Sequence, residues 1–206
     1  MRGRRICFVR NLKRMHRLWI LLLCLASLLA VASSDELHPT PWWVDFLGEE
    51  ESTLDSELLP VGAVIRAYDP TGVLAGRAEV SLAGWYLVSV YADDPMTTEL
   101  DEGAVSGDPI AFTVDDNPAV PLGPDLPVWS QTGTLAHVEL RACTLAGDFD
   151  CDCRVTVADL MRQARSFGAS RGQAGYYPPY DHDEDEDIDI GDLQETAGRW
   201  HTGCQG

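Results

Sequence analysis

Positive charge is scarce in this chain of 206 residues. Lysine and arginine number 15 against 33 aspartates and glutamates, and Lys13 is the only lysine. Seven of the basic residues fall within residues 1–17, which hold no acid. From residue 33 onward eight arginines face all 33 acids, a formal charge of −25. Such a surface repels phosphate, which excludes nucleic acid and anionic lipid as partners. It attracts cations.

An apolar run of membrane-spanning length is also lacking. The longest, "LWILLLCLASLLAVA" (18–32), has fifteen residues, whereas a spanning helix needs ~20. Basic residues precede it and Ala30-Val31-Ala32 closes it with a small-x-small pattern. Residues 1–32 therefore read as a secretory signal peptide, removed on export. The remaining 174 residues suffice for one medium domain or two small ones.

Signatures of catalysis are absent too. No G-x-S-x-G, H-E-x-x-H or Walker A stretch occurs after residue 32. With so many acids, neighbouring carboxylates arise by chance, so composition defines no glycosidase pair. His137, on a strand-like segment, reads as structural. The expectation is a protein that is not an enzyme.

Cysteine is sparse and unevenly placed. Cys7 and Cys24 fall in the leader; Cys143, Cys151, Cys153 and Cys204 lie in the last 64 residues. Four cysteines in an exported chain suggest two disulfides, with three possible pairings. A zinc site from Cys151 and Cys153 with His182 or His201 is the competing reading, but their one-residue separation suits structural zinc poorly.

Two kinds of sequence follow the leader. Residues 36–142 carry short segments rich in Val, Ile, Tyr, Trp and Thr: "PWWVDFL" (41–47), "AVIRAY" (63–68), "LAGRAEV" (74–80), "WYLVSVY" (85–91), "IAFTV" (110–114) and "HVELRA" (137–142). Turn residues separate them: Asp69-Pro70-Thr71-Gly72, Ala83-Gly84, Asp115-Asp116-Asn117-Pro118 and Gly123-Pro124. Many short strands punctuated in this way predict a β-sandwich. The acidic segment 93–108 reads as a solvated loop.

Residues 147–204 contain a repeat offset by 33 residues. "DFDCDCRVTVADLMRQARSF" (148–167) lies over "DHDEDEDIDIGDLQETAGRW" (181–200). Acidic and apolar positions recur together, which an acidic tract shaped by composition alone would not do. The acids fit a twelve-residue calcium loop, which takes oxygens from positions 1, 3, 5, 7, 9 and 12, the seventh through its backbone carbonyl. The first loop would supply Asp148, Asp150, Asp152, the Arg154 carbonyl, Thr156 and Asp159. The second would supply Asp181, Asp183, Asp185, the Asp187 carbonyl, Asp189 and Asp192. Hard oxygens in this number favour Ca²⁺ over Mg²⁺. Calcium affinity is expected to fall as pH drops through the carboxylate range near ~4.

A helical stripe follows each loop: Val157, Leu160, Met161, Ala164 and Phe167, then Ile190, Leu193, Ala197 and Trp200. The two stripes are expected to pack on each other as a small core, because ~60 residues have little other apolar surface to bury. The eighth positions, Val155 and Ile188, are expected to meet in a short β contact. The intervening "GASRGQAGYYPPY" (168–180) reads as a surface linker.

Loop then helix, twice, with no helix before either loop, resembles a dockerin module over about residues 147–204. Asp159 and Asp192 stand where dockerins carry aspartate and EF-hands usually glutamate. The resemblance implies two bound Ca²⁺ ions and a cohesin-like protein partner, or docking onto the chain's own β-rich part. Cys153 and Glu186 occupy the sixth position, where such loops usually have glycine. A non-glycine residue at φ > 0 costs on the order of 1 kcal/mol, so this departure implies a weaker loop or a changed turn. Val157-Ala158 and Ile190-Gly191 stand where cellulosomal dockerins tend to carry a hydroxyl pair. The cysteines are additional: Cys151 and Cys153 take the non-ligating fourth and sixth positions, and one is expected to bridge to Cys143 and the other to Cys204.

The β-rich part more loosely resembles the Ig-like or carboxypeptidase-regulatory-like modules of bacterial surface proteins. The fold expected is thus a mainly β sandwich (36–142) followed by a small duplicated loop-helix calcium module (147–204). The function expected is non-catalytic and extracellular or at the cell surface, with a protein or carbohydrate partner. The alternative is a component of a polysaccharide-degrading system, performing or supporting O-glycosyl hydrolysis.

Overall fold

The computed structural model describes residues 36–204 apart from Thr98. The leader expected over residues 1–32 lies outside the described residues. Ten strands occur among them: β1 (Trp43–Gly48), β2 (Thr53–Leu54), β3 (Glu57–Leu58), β4 (Val64–Tyr68), β5 (Leu74–Glu79), β6 (Tyr86–Tyr91), β7 (Ala111–Val114), β8 (Asn117–Leu122), β9 (Leu135–His137) and β10 (Glu139–Ala142). Two helices follow, α1 (Val157–Gln163) and α2 (Ile190–Gly198), with 3-10 turns at Ala164–Ser166 and Pro178–Tyr180. The chain is mostly β with few helices.

The strands form one hydrogen-bonded sheet in the order β3-β2-β10-β8-β7-β4-β5-β6-β1-β9. It curls on itself, and a single stretch of chain serves two distant places in it. β9 pairs in parallel with β1, and one residue later β10 pairs antiparallel with β8. Between them Val138 donates its N–H to Leu47 O at 2.9 Å and accepts from the Tyr86 hydroxyl at 2.5 Å. The expected sandwich is thus a continuous curled sheet around one core.

Alternation of side chains fills that core. Val44 and Phe46 of β1, Val88 and Val90 of β6, Ile65 of β4 and Phe112 and Val114 of β7 are buried, as the period of two requires. Phe46 meets Phe112 edge to face at 5.5 Å. Trp129 is buried among them, and its indole N–H reaches Val90 O at 2.9 Å.

β8 departs from the sequence reading, which ended the strand signal at Asp115-Asp116-Asn117-Pro118. The turn is only Asp115-Asp116, with φ of 47° and 68°, the left-handed pair of a two-residue hairpin. The strand resumes at Asn117 despite Pro118 and Pro121. Pro118 lies where only β7 is alongside, and Pro121 where only β10 is. Each proline can point its missing N–H away from its single neighbour. β2 and β3 were not anticipated, because two residues show no periodicity.

The β4–β5 turn is organised by a buried carboxylate. Asp69 Oδ1 accepts from Thr71 N at 2.9 Å and Val73 N at 2.8 Å. Burial raises the Asp69 pKa to about 6, with the Asp101 charge adding to it. Since the folded value exceeds the unfolded one, Asp69 favours folding below about pH 4 and loses that contribution as pH rises through about 6. Asp69→Asn keeps the Oδ1 acceptor. It is expected to match the wild type near pH 4 and to exceed it at pH 7, by no more than roughly 3 kcal/mol. Urea denaturation at the two pH values checks this; the same stability difference at both would refute it.

Candidate metal centre

The two loops, 148–159 and 181–192, are wired in the same way. In the first, Asp148 Oδ1 accepts from Asp152 N at 3.2 Å and Oδ2 from Cys153 N at 2.9 Å. In the second, Asp181 Oδ1 accepts from Asp185 N at 3.2 Å and Oδ2 from Glu186 N at 3.0 Å. The twelfth residue closes each loop from the other side. Asp159 accepts from Phe149 N and Thr156 N, both at 2.8 Å. Asp192 accepts from His182 N at 2.6 Å and Asp189 N at 2.7 Å. Asp159 and Asp192 are fully buried, so their charges rest on these N–H groups.

Within each loop three carboxylates converge. Asp148, Asp150 and Asp152 offer oxygens within 4.8 Å of one another, and so do Asp181, Asp183 and Asp185. Asp150 Oδ1 is buried without a hydrogen-bond partner. Burial, reinforced by the charges of Asp159 and Asp152, raises the Asp150 pKa. Burial likewise raises Asp148, and burial with Asp185 and Asp192 raises Asp183. Each triad is a set of hard oxygens whose mutual repulsion a divalent cation would relieve.

The other predicted ligands also have roles in the local backbone. Arg154 and Asp187, at position seven, form single β-bridges to Gly203 and Ser170. Thr156 and Asp189, at position nine, are the N-caps of α1 and α2. Thr156 Oγ1 accepts from Ala158 N at 3.1 Å, and Asp189 Oδ1 from Gly191 N at 2.5 Å. With Asp159 and Asp192 they complete a capping box on each helix. The T-x-x-D and D-x-x-D spacings carried that signal, which the ligand reading left aside.

The sixth position keeps the glycine-like turn without glycine. Cys153 and Glu186 have φ of 66° and 70°, and the fourth-position Cys151 and Glu184 have 54° and 59°. In the first loop both left-handed residues are in disulfides, Cys143–Cys151 and Cys153–Cys204. All four sulfurs are thus engaged, which leaves no thiolate for zinc.

Two expectations about packing are overturned. Val155 and Ile188 are buried but pair across the repeat rather than with each other. Val155 N donates to Thr202 O at 3.0 Å, beyond α2, and Ile188 N donates to Ala169 O at 2.9 Å, beyond α1. The helical stripes do not form the core either. Val157, Met161, Phe167, Ile190 and Trp200 are 42–59% exposed. The helices instead bury Asp159 with Gln163, and Asp192 with Thr196.

The reason is that the expected linker occupies the interior. Tyr176 packs with Ala169 and Ile188, with Tyr180 against them. Phe149 meets Tyr180 edge to face at 4.6 Å and stacks on His182 at 5.8 Å. Gln163 Nε2 donates to Tyr180 O at 2.9 Å. The Tyr177 hydroxyl donates to Phe112 O of β7 at 2.7 Å, joining this core to the sheet.

No family model matches this chain, and no curated protein matches it. Among solved structures, a chain of a mutant type II cohesin–X-dockerin complex from Acetivibrio cellulolyticus aligns at 14% identity and a TM-score of 0.27. The alignment covers 78% of this chain and 97% of that one.

Proposed function

We propose that this chain is an exported, non-catalytic calcium-binding protein whose loop-helix segment, ordered around two Ca²⁺ ions, docks to a protein partner. The observation that carries the reading is the repeated wiring of Asp148 with Asp159 and of Asp181 with Asp192, which leaves a converging aspartate triad in each loop. The buried, unpartnered Asp150 Oδ1 supports it further. Asp148, Asp150 and Asp152 would hold one ion, and Asp181, Asp183 and Asp185 the other. Calcium would neutralise carboxylates that otherwise repel.

Docking is supported by exposed apolar side chains in and just after the helices. Val157, Met161 and Phe167 follow the first loop, and Ile190 and Trp200 the second. Large apolar residues grouped at a surface are typical of interaction sites. A calcium-ordered segment presenting them resembles a dockerin.

Calorimetric calcium titration of the oxidised protein tests the reading. Two sites are expected in the wild type and one in each of Asp148→Ala and Asp181→Ala, with Kd in the ~10⁻⁴–10⁻³ M range of extracellular modules. Absence of heat, together with a circular dichroism spectrum indifferent to chelator, would sink it.

A further inference from the structure

The two loops share their wiring but differ in what braces the first aspartate. Asp148 sits in a loop fastened by Cys143–Cys151 and Cys153–Cys204. No cysteine occurs between residues 154 and 203, so the second loop has no such fastening. In its place the buried Tyr176 donates its hydroxyl to Asp181 Oδ2 at 2.7 Å. That oxygen also accepts from Glu186 N, the left-handed sixth residue.

Tyr176 is itself held from the sheet. Its ring lies against Gly72 at the β4–β5 turn, so close that a Cβ there would collide with it, and Gly72 has φ +85°. The same turn accepts two N–H groups from the segment leading to Tyr176. Gly172 N donates to Thr71 O at 2.9 Å, and Gly175 N to Pro70 O at 2.8 Å. The contacts form an unbroken path: β4–β5 turn, Tyr176 ring, Tyr176 hydroxyl, Asp181 carboxylate.

We propose that Tyr176 is a positioning residue for the second cation loop, holding the Asp181 carboxylate from the β4–β5 turn, so that filling this loop tightens the seam between the loop-helix segment and the sheet. The inference rests on the calcium reading above. Groups that orient a ligating carboxylate commonly change metal affinity 10–100-fold when removed. The loops are therefore unequal: the first is ordered covalently, and the second by its ion and by the sheet.

The test uses Tyr176→Phe, which keeps the ring on Gly72 and deletes only the hydroxyl. It is placed in the Asp148→Ala background, where only the second site remains, and in Asp181→Ala, where only the first does. Calcium affinity is expected to fall about 10-fold at the second site and to stay constant at the first, with the melting temperature in chelator lowered only slightly by the lost hydrogen bond. Amide exchange at Gly172 and Gly175 is expected to slow on adding calcium to the wild type and to respond less in Tyr176→Phe. Unchanged affinity at the second site, equal loss at both sites, or a lowered melting temperature in chelator with no selective loss would overturn the proposal while leaving calcium binding intact. A wild type that binds no calcium would instead overturn the calcium reading, and this proposal with it.

Discussion

Asp192→Ala is expected to destabilise the protein by about 4 kcal/mol even in excess chelator. The carboxylate is fully buried and accepts from His182 N and Asp189 N. Deleting it strands two part-buried donors, each costing about 1–3 kcal/mol. The Asp189 N–H belongs to the capping box of α2, so the helix start loses its anchor as well. Asp159→Ala is expected to act similarly, since its carboxylate serves Phe149 N, Asp150 N and Thr156 N. Relief of repulsion among neighbouring aspartates opposes the loss. It is the smaller effect where those neighbours are exposed, as Asp183 and Asp185 are. Asp192→Asn keeps one acceptor and should recover part of the loss. Urea denaturation in chelator measures the effect apart from any bound ion, and a loss below about 1 kcal/mol would show that these hydrogen bonds do not hold the loop.

That double duty of Asp159 and Asp192, loop closure and helix capping, could be read from spacing. The repeat was legible because acids and apolar residues recur together at one offset, which selects a coiled loop over a solvated acidic tract. That Cys151 and Cys153 serve as bridges was legible because they fall at positions whose side chains do not ligate; which of them meets Cys143 was not. Period and spacing do not report what covers a face. The helices begin at Val157 and Ile190 but end before Phe167 and Trp200, and whether a face is buried depends on what else competes for the interior. Tyr176 and Tyr180 won that competition from a Gly/Pro-rich stretch whose composition reads as surface. Once buried, the tyrosines' hydroxyl and carbonyl groups find partners in Asp181 and Gln163. The same limit hid β8, where the prolines are tolerated only because each has a single neighbouring strand.

Breaking the disulfides separately is expected to give unequal losses. Cys153–Cys204 spans 51 residues and Cys143–Cys151 spans 8. Restricting the unfolded chain over the longer loop is worth ~4 kcal/mol, against roughly 2.5 kcal/mol for the shorter. The longer bridge encloses most of the first loop, both helices and the whole second loop. It also fastens the strand-like contact of residues 201–203 to Arg154 and Val155. Cys153→Ser with Cys204→Ser should therefore cost more than Cys143→Ser with Cys151→Ser, by roughly 1.5 kcal/mol. The shorter bridge has a different effect. It ties the first loop to the end of β10, so its loss should free that loop from the sheet while the second loop stays attached through Tyr176. Hydrogen exchange separates the two outcomes: without Cys143–Cys151, amides of residues 148–156 should exchange faster, while Gly172 and Gly175 keep their protection. Equal acceleration in both regions would mean that the loops are not independently fastened to the sheet.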